Sequence, residues 1–225
     1  MKEIKRIIKV SVDDGDKLDI KLGEILLKYR IPTTFYIAPN YSDLDDSVVY
    51  RIARGGLCMK KKCPIIFDVG GHTMNHPLDL KKLDDNELKN EIFGCKKYLE
   101  NLIEKPVTKF CYPRGRFDER VKDVVKEAGF TEARTVRVLN TDFPTDPFET
   151  DVSVHVHPAR KEYGDSNWIT LGLEMLDKVI KDGGRFELMC HSWEIDRFNM
   201  WEFFEDFIST MDEKMKEINY ERKVY

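Results

Sequence analysis

The chain has 225 residues, 41% of them hydrophobic and 35% charged, which supplies one apolar core and carries too much charge for a membrane protein. Ordinary Gly and Pro content and 11% aromatics exclude collagen-like and disordered classes. Thirty-seven Lys and Arg against 41 Asp and Glu leave a net charge of −4, no footprint for a nucleic-acid partner.

Short apolar runs alternate with helix-period segments along the whole chain. Ile7–Val12 reads as a strand, and Asp16–Arg30 as a helix with Leu18, Leu22, Ile25, Leu26 and Tyr29 on one face and Asp16 as N-cap. Thr33–Ala38 is a second strand, Val48–Ala53 a short helix, and Ile65–Val69 a third strand after Gly55-Gly56. Asp84–Ile103 is the clearest helix, with Leu88, Ile92, Cys95, Leu99 and Leu102 in phase and Asp84 with Glu87 as a capping box. Thr108–Tyr112 is a strand, and Asp118–Ala128 a helix closed by Gly129. Phe130–Val136, Val152–Val156 and Phe186–Cys190 complete the strands, with helices near Ser166–Asp182 and Met200–Met215 and a loop over Arg137–Thr150. Strands separated by helices imply βαβ units and a largely parallel sheet or barrel in a single domain over residues 1–225.

Cys58, Cys63, Cys95, Cys111 and Cys190 form an odd set that suits reduced thiols better than a disulfide framework. Cys58 and Cys63 flank a lysine run, but no second Cys/His pair follows at zinc-finger spacing. Met1–Arg6 lacks the apolar run of a secretory leader and no stretch reaches a membrane span, so the expected compartment is the cytoplasm.

In parallel α/β folds ligands bind beyond the carboxyl ends of the strands, which makes the polar residues just after each strand the ones to read for chemistry. Asp13-Asp14-Gly15 follows the first strand, either as a simple turn or as two carboxylates aimed apart. His72 and His76 follow the third; four residues apart, they share one face of a helical turn and can grip one metal ion, with Pro77 limiting the helix to a single turn. Tyr112-Pro113-Arg114-Gly115 follows the fourth and offers a backbone N–H at Arg114. His191, with Glu194 nearby, follows the last and is a candidate proton donor. A carboxylate and two imidazoles for a metal, plus a spare carboxylate and a spare imidazole, is the inventory of a metal-assisted hydrolase.

With these motifs in order, Ser11-Val-Asp-Asp-Gly15, His72-Thr-Met-Asn-His76, Phe110-Cys-Tyr-Pro-Arg-Gly115 and Leu188-Met-Cys-His191, the sequence resembles the polysaccharide deacetylases of the NodB-homology type, carbohydrate esterase family 4. The resemblance implies a distorted (β/α) barrel of fewer than eight repeats, here seven strands, and a divalent metal, usually zinc. It implies Asp14, His72 and His76 as metal ligands, Asp13 as general base and His191 as general acid. It also puts the Arg114 N–H on the oxyanion and Tyr112 on the substrate side. The implied substrate is an N-acetylated carbohydrate.

The chain departs from the family at Cys111, where many members have an arginine that orients the catalytic aspartate, and the family's Asp-Trp is not evident around Thr131–Arg137. Arg114 or Arg134 is then the candidate replacement cation. His155 and His157 alternate with valines and would face one side of a strand, toward substrate or as an exposed edge. Trp193 and Trp201 are candidates for a sugar-stacking wall, with core packing the alternative for Trp201. Two other readings remain open at this level: a hydrolase of another carbon–nitrogen bond, such as a cyclic imide or ureide, and a sugar-binding module without catalysis.

Overall fold

The computed structural model describes residues 4–55 and 66–222, so Cys58 and Cys63 lie outside the described residues. Seven parallel strands form one sheet: β1 (Arg6–Asp14), β2 (Thr33–Ile37), β3 (Phe67–Gly71), β4 (Lys109–Cys111), β5 (Glu132–Arg134), β6 (Val154–His155) and β7 (Gly184–Cys190). Their order is β5-β4-β3-β2-β1-β7-β6, with β2 at the centre and β1 between β2 and β7. The helices are α1 (Asp19–Lys28), α2 (Asp46–Ala53), α3 (Asp85–Ile103), α4 (Glu119–Glu127), α5 (Trp168–Asp182), α6 (Ser192–Arg197) and α7 (Trp201–Glu217). Among the described residues no helix is long and apolar enough to cross a membrane.

The sheet curls into a distorted (β/α) barrel, and the segment before β6 bridges its two edges. Thr150 donates its N–H to Ala133 O and accepts from Thr135 N on the β5 side, at 3.0 and 2.8 Å. Three residues on, Ser153 N donates to Glu187 O of β7 at 3.0 Å. A backbone that reaches both edges satisfies groups that an open sheet would leave bare.

The two faces of the strands differ in chemistry. Ile8, Val10 and Val12 of β1 point outward and share one core with Leu22 and Leu26 of α1 and Phe204 and Ile208 of α7. The alternate residues, Lys9, Ser11 and Asp13, are buried on the inner side. There Lys9 Nζ stands 3.5 Å from Glu187 of β7, Arg185 pairs with Glu187 at 2.5 Å, and Lys109 of β4 pairs with Asp68 of β3 at 2.5 Å. The barrel is therefore packed with helices outside and lined by ion pairs within.

Local signals account for most helix ends. Asp84 accepts from Glu87 N while Glu87 accepts from Asp84 N, the capping box expected for α3. Gly129, at φ 86, takes the left-handed conformation just past α4. Asp16 is not the N-cap of α1: the helix starts three residues later, and Asp16 instead accepts from Leu18 N at 2.8 Å in a turn that precedes it. The short α6 has no counterpart in the sequence reading, because six residues give too little periodicity.

Candidate active site

The carboxyl ends of β1, β3, β4 and β7 open on a cleft of about 360 Å³, lined among others by Asp13, Asp14, His72, His76, Arg114 and His191. Strand alternation separates the two adjacent aspartates. Asp13 continues the inward row of β1, whereas Asp14 adopts φ 81 and Gly15 φ 83, so the chain turns sharply at the rim. Only glycine fits at the second position, since a Cβ there would lie 2.4 Å from Ser42 Oγ.

Asp14 faces both histidines that follow β3. Its Oδ1 stands 3.6 Å from His72 Nε2 and 3.5 Å from His76 Nε2, and this buried oxygen has no hydrogen-bond partner among the described residues. Its Oδ2 accepts from Trp193 Nε1 at 3.1 Å, which fixes the carboxylate orientation. His72 Nδ1 lies 2.8 Å from Cys111 O and must donate to it, leaving the Nε2 lone pair turned toward Asp14. Ligand atoms at the ~2.0–2.2 Å of zinc bonds stand about 3.3–3.6 Å apart at tetrahedral angles. The donor set and its spacing thus fit a divalent metal.

The loop that carries the two histidines is not the helical turn expected from their spacing. Thr73 and His76 adopt φ 65 and φ 50, and the segment between β3 and α3 is irregular at this point. Glu91 of α3 holds it instead, accepting from Met74 N at 2.9 Å and Asn75 N at 2.8 Å. Thr73 Oγ1 accepts from His76 N at 3.1 Å, and Tyr41, beyond β2, stacks on the His76 ring at 4.7 Å. Three of the residues around this site, Asp14, Thr73 and His76, hold left-handed backbones that non-glycine residues seldom adopt, as does Arg114 at φ 58.

Asp13 is paired with Arg134. The β4–β5 register places Cys111 beside Arg134, and the guanidinium reaches past the small thiol to both Asp13 oxygens while standing 2.9 Å from Cys111 Sγ. The cation absent from position 111 is supplied one strand over. Arg114, the other candidate, lines the cleft at its exposed rim. Burial alone would raise Asp13, but Arg134, with His72 and His191 near, holds it below the ordinary carboxylate value.

His191, at the end of β7, directs Nε2 toward Asp13 Oδ2 at 4.0 Å and Asp14 Oδ2 at 3.8 Å. Its Nδ1 lies 2.7 Å from Glu194 Oε2, one turn on in α6. Burial works to lower this imidazole, and the Glu194 hydrogen bond with the two aspartates raises it above 6.5. Ser192 Oγ donates to Asp19 Oδ1 of α1 at 2.6 Å and anchors the start of α6.

Tyr112 departs from its expected place. Following Cys111, which points inward, it points outward: its ring stacks on Phe117 at 4.1 Å, its hydroxyl donates to Phe148 O at 3.1 Å, and its N–H is given to Arg134 O at 3.1 Å. The phenol belongs to the core, not to the cleft lining. Trp193 borders the cleft, whereas Trp201 packs partly buried against the core and donates to Asp196 at 2.9 Å. His155 lines the cleft as well, with the His157 ring tilted beyond it at 5.5 Å between ring centroids. Tyr41, Glu91 and Arg160 were missed by the sequence reading; of these only Tyr41 carried a signal, its position just after a strand.

A parallel α/β barrel whose rim gathers two aspartates and four histidines in one cleft defines a hydrolase-like scaffold of the deacetylase type. The chain belongs to the polysaccharide deacetylase family, whose model matches residues 2–133. That match includes Asp13, Asp14, His72, His76 and Arg114 and stops before Arg134 and His191. Among solved structures it is similar to the Streptococcus pyogenes deacetylase PplD in complex with acetate, at 16% identity over 65% of this chain and 63% of that one, TM-score 0.57. It is also similar to a family 4 carbohydrate esterase from Bacillus anthracis, at 19% identity over 98% of this chain and 80% of that one, TM-score 0.62. A family 4 carbohydrate esterase from Streptomyces lividans in complex with acetate matches at 14% identity over 96% and 90%, TM-score 0.61. At these identities the likeness is one of fold, and the chain spans less than two thirds of PplD. No curated protein matches.

Proposed function

We propose that the chain is a divalent-metal-dependent hydrolase, with zinc as its metal, that removes the acetyl group from the nitrogen of an amino sugar or N-acetylated glycan. The products are acetate and a free amine. One observation supports this above the others: the buried Asp14 Oδ1, without a hydrogen-bond partner, lies at metal-ligand spacing from two imidazole nitrogens.

Asp14, His72 and His76 would hold the metal, which when bound supplies Lewis acidity toward an acyl carbonyl and makes water a nucleophile near neutral pH. Asp13, kept ionised by Arg134, takes the proton of the attacking water. The resemblance to the family assigns the Arg114 N–H to the developing oxyanion. His191, raised above its ordinary value by Glu194, Asp13 and Asp14 against the effect of burial, gives its Nε2 proton to the departing nitrogen, which leaves poorly as an anion.

The test is to measure the metal bound by the purified chain and to assay acetate release from N-acetylglucosamine oligomers beside opening of a cyclic imide. Expected are about one zinc per chain and acetate release lost on chelation and restored by zinc. Imide opening without acetate release would replace the substrate class. Sugar binding with neither reaction, in excess zinc, would make the chain a binding module.

A further inference from the structure

Behind His191 lies a second group of imidazoles and carboxylate, spaced quite differently from the first. Glu194 Oε2 is 2.7 Å from His191 Nδ1 and 2.7 Å from His155 Nε2. These are hydrogen-bond distances, shorter than the 3.5 and 3.6 Å between Asp14 and its histidines. The far side of His155 decides its protonation. Arg160 Nη1 stands 3.0 Å from His155 Nδ1, and a guanidinium only donates, so Nδ1 must carry the lone pair and Nε2 the proton. A ring so fixed donates to Glu194 and has no lone pair left on Nε2 for a metal.

We propose that His155, locked by Arg160 as an Nε2–H donor, is a positioning residue for the acid step: it pins the Glu194 carboxylate whose other contact orients His191.

The geometry is built for this. The β6–β7 register sets His155 beside Met189, two residues before His191, so the two rings approach with centroids 5.2 Å apart. The Tyr163 hydroxyl grips the backbone of His155 from both sides, accepting from its N–H at 2.8 Å and donating to its C=O at 2.6 Å. Arg160 is anchored in turn by Glu162 Oε1 at 2.9 Å. Burial lowers His155 to about 4, in keeping with a neutral donor. His157, 3.8 Å from the other Glu194 oxygen, is too far for a hydrogen bond and serves as the control.

The inference rests on the deacetylase reading, and its test exploits the leaving group. A sugar amine needs a proton to depart, whereas the nitrophenolate of 4-nitrophenyl acetate does not, so a fault confined to the acid step affects only the first. His155→Leu in the zinc-loaded enzyme is expected to lower kcat on N-acetylglucosamine oligomers about tenfold, with KM and ester hydrolysis within about twofold of wild type. His155→Gln, which restores a donor at that reach, is expected to recover most of the loss. Arg160→Met should lose about threefold on the amide alone, and His157→Ala nothing. Equal losses on amide and ester, or His155→Gln no better than His155→Leu, overturn the proposal while the deacetylase reading stands. A zinc-loaded wild type that hydrolyses neither substrate overturns both.

Discussion

The interior and the mouth of this barrel are built from the same residue types and used in opposite ways. Inside, Lys9, Arg185, Glu187 and Lys109 are buried, Lys109 with a half-buried Asp68, and all are held in ion pairs within β7 or across adjacent strands. At the mouth, Asp14 Oδ1 and the Nε2 atoms of His72, His76 and His191 face a cleft. The contrast teaches that partnership, more than residue type, separates a structural charge from a chemical one. Arg134 joins the two regions, holding Asp13 above while its Nε lies 3.7 Å from Glu187 below.

Breaking the comparison at the mouth should cost activity most. Asp13→Asn keeps the volume and the metal ligands but loses the base, and kcat on an N-acetylated amino sugar should fall about 10²–10⁴-fold at unchanged zinc content. Full turnover in a zinc-loaded variant would remove Asp13 from the mechanism.

Breaking it in the interior should cost stability instead. Glu187→Gln leaves Lys9, Arg185 and Arg134 short of a counter-charge, and denaturant unfolding should show a loss of about 3–5 kcal/mol. The loss depends on pH with a definite sign. Burial would raise Glu187, but Lys9, Arg185 and Arg134 bring it to about 2 in the folded chain against an ordinary 4.5. Its contribution is therefore complete above about pH 4.5 and drains away as pH falls toward 2, so the gap between variant and wild type should narrow over that window. A constant gap would mean that the ion pairs are not its source.

The smallest effect expected is at the border of the cleft. Trp193→Phe removes the hydrogen bond to Asp14 Oδ2 while keeping an aromatic wall, and chelator competition should show zinc affinity about tenfold weaker. Unchanged affinity would reduce Trp193 to a wall.

Much of this site was legible because a parallel sheet delivers the ends of its strands to one rim. Asp13, Asp14, His72, His76, Arg114 and His191 each follow a strand that periodicity reveals, and all line one cleft. What failed was local conformation and lateral neighbourhood. The spacing of His72 and His76 suggested a helical turn, but Glu91, from a helix elsewhere in the chain, shapes the loop through hydrogen bonds that periodicity does not encode. Tyr112 looked like a substrate contact because it sits in a motif, yet the inward placement of Cys111 turns its ring into the core.

The sequence by itself determined the alternation of strands and helices and the acids and histidines after the strand ends, since both follow from residues close together in the chain. Only the tertiary structure decided which cation serves Asp13 and which groups stand behind His191. Those choices depend on the registers that set Arg134 beside Cys111 and His155 beside Met189, pairings 23 and 34 residues apart whose selection is a property of the closed barrel rather than of any local segment.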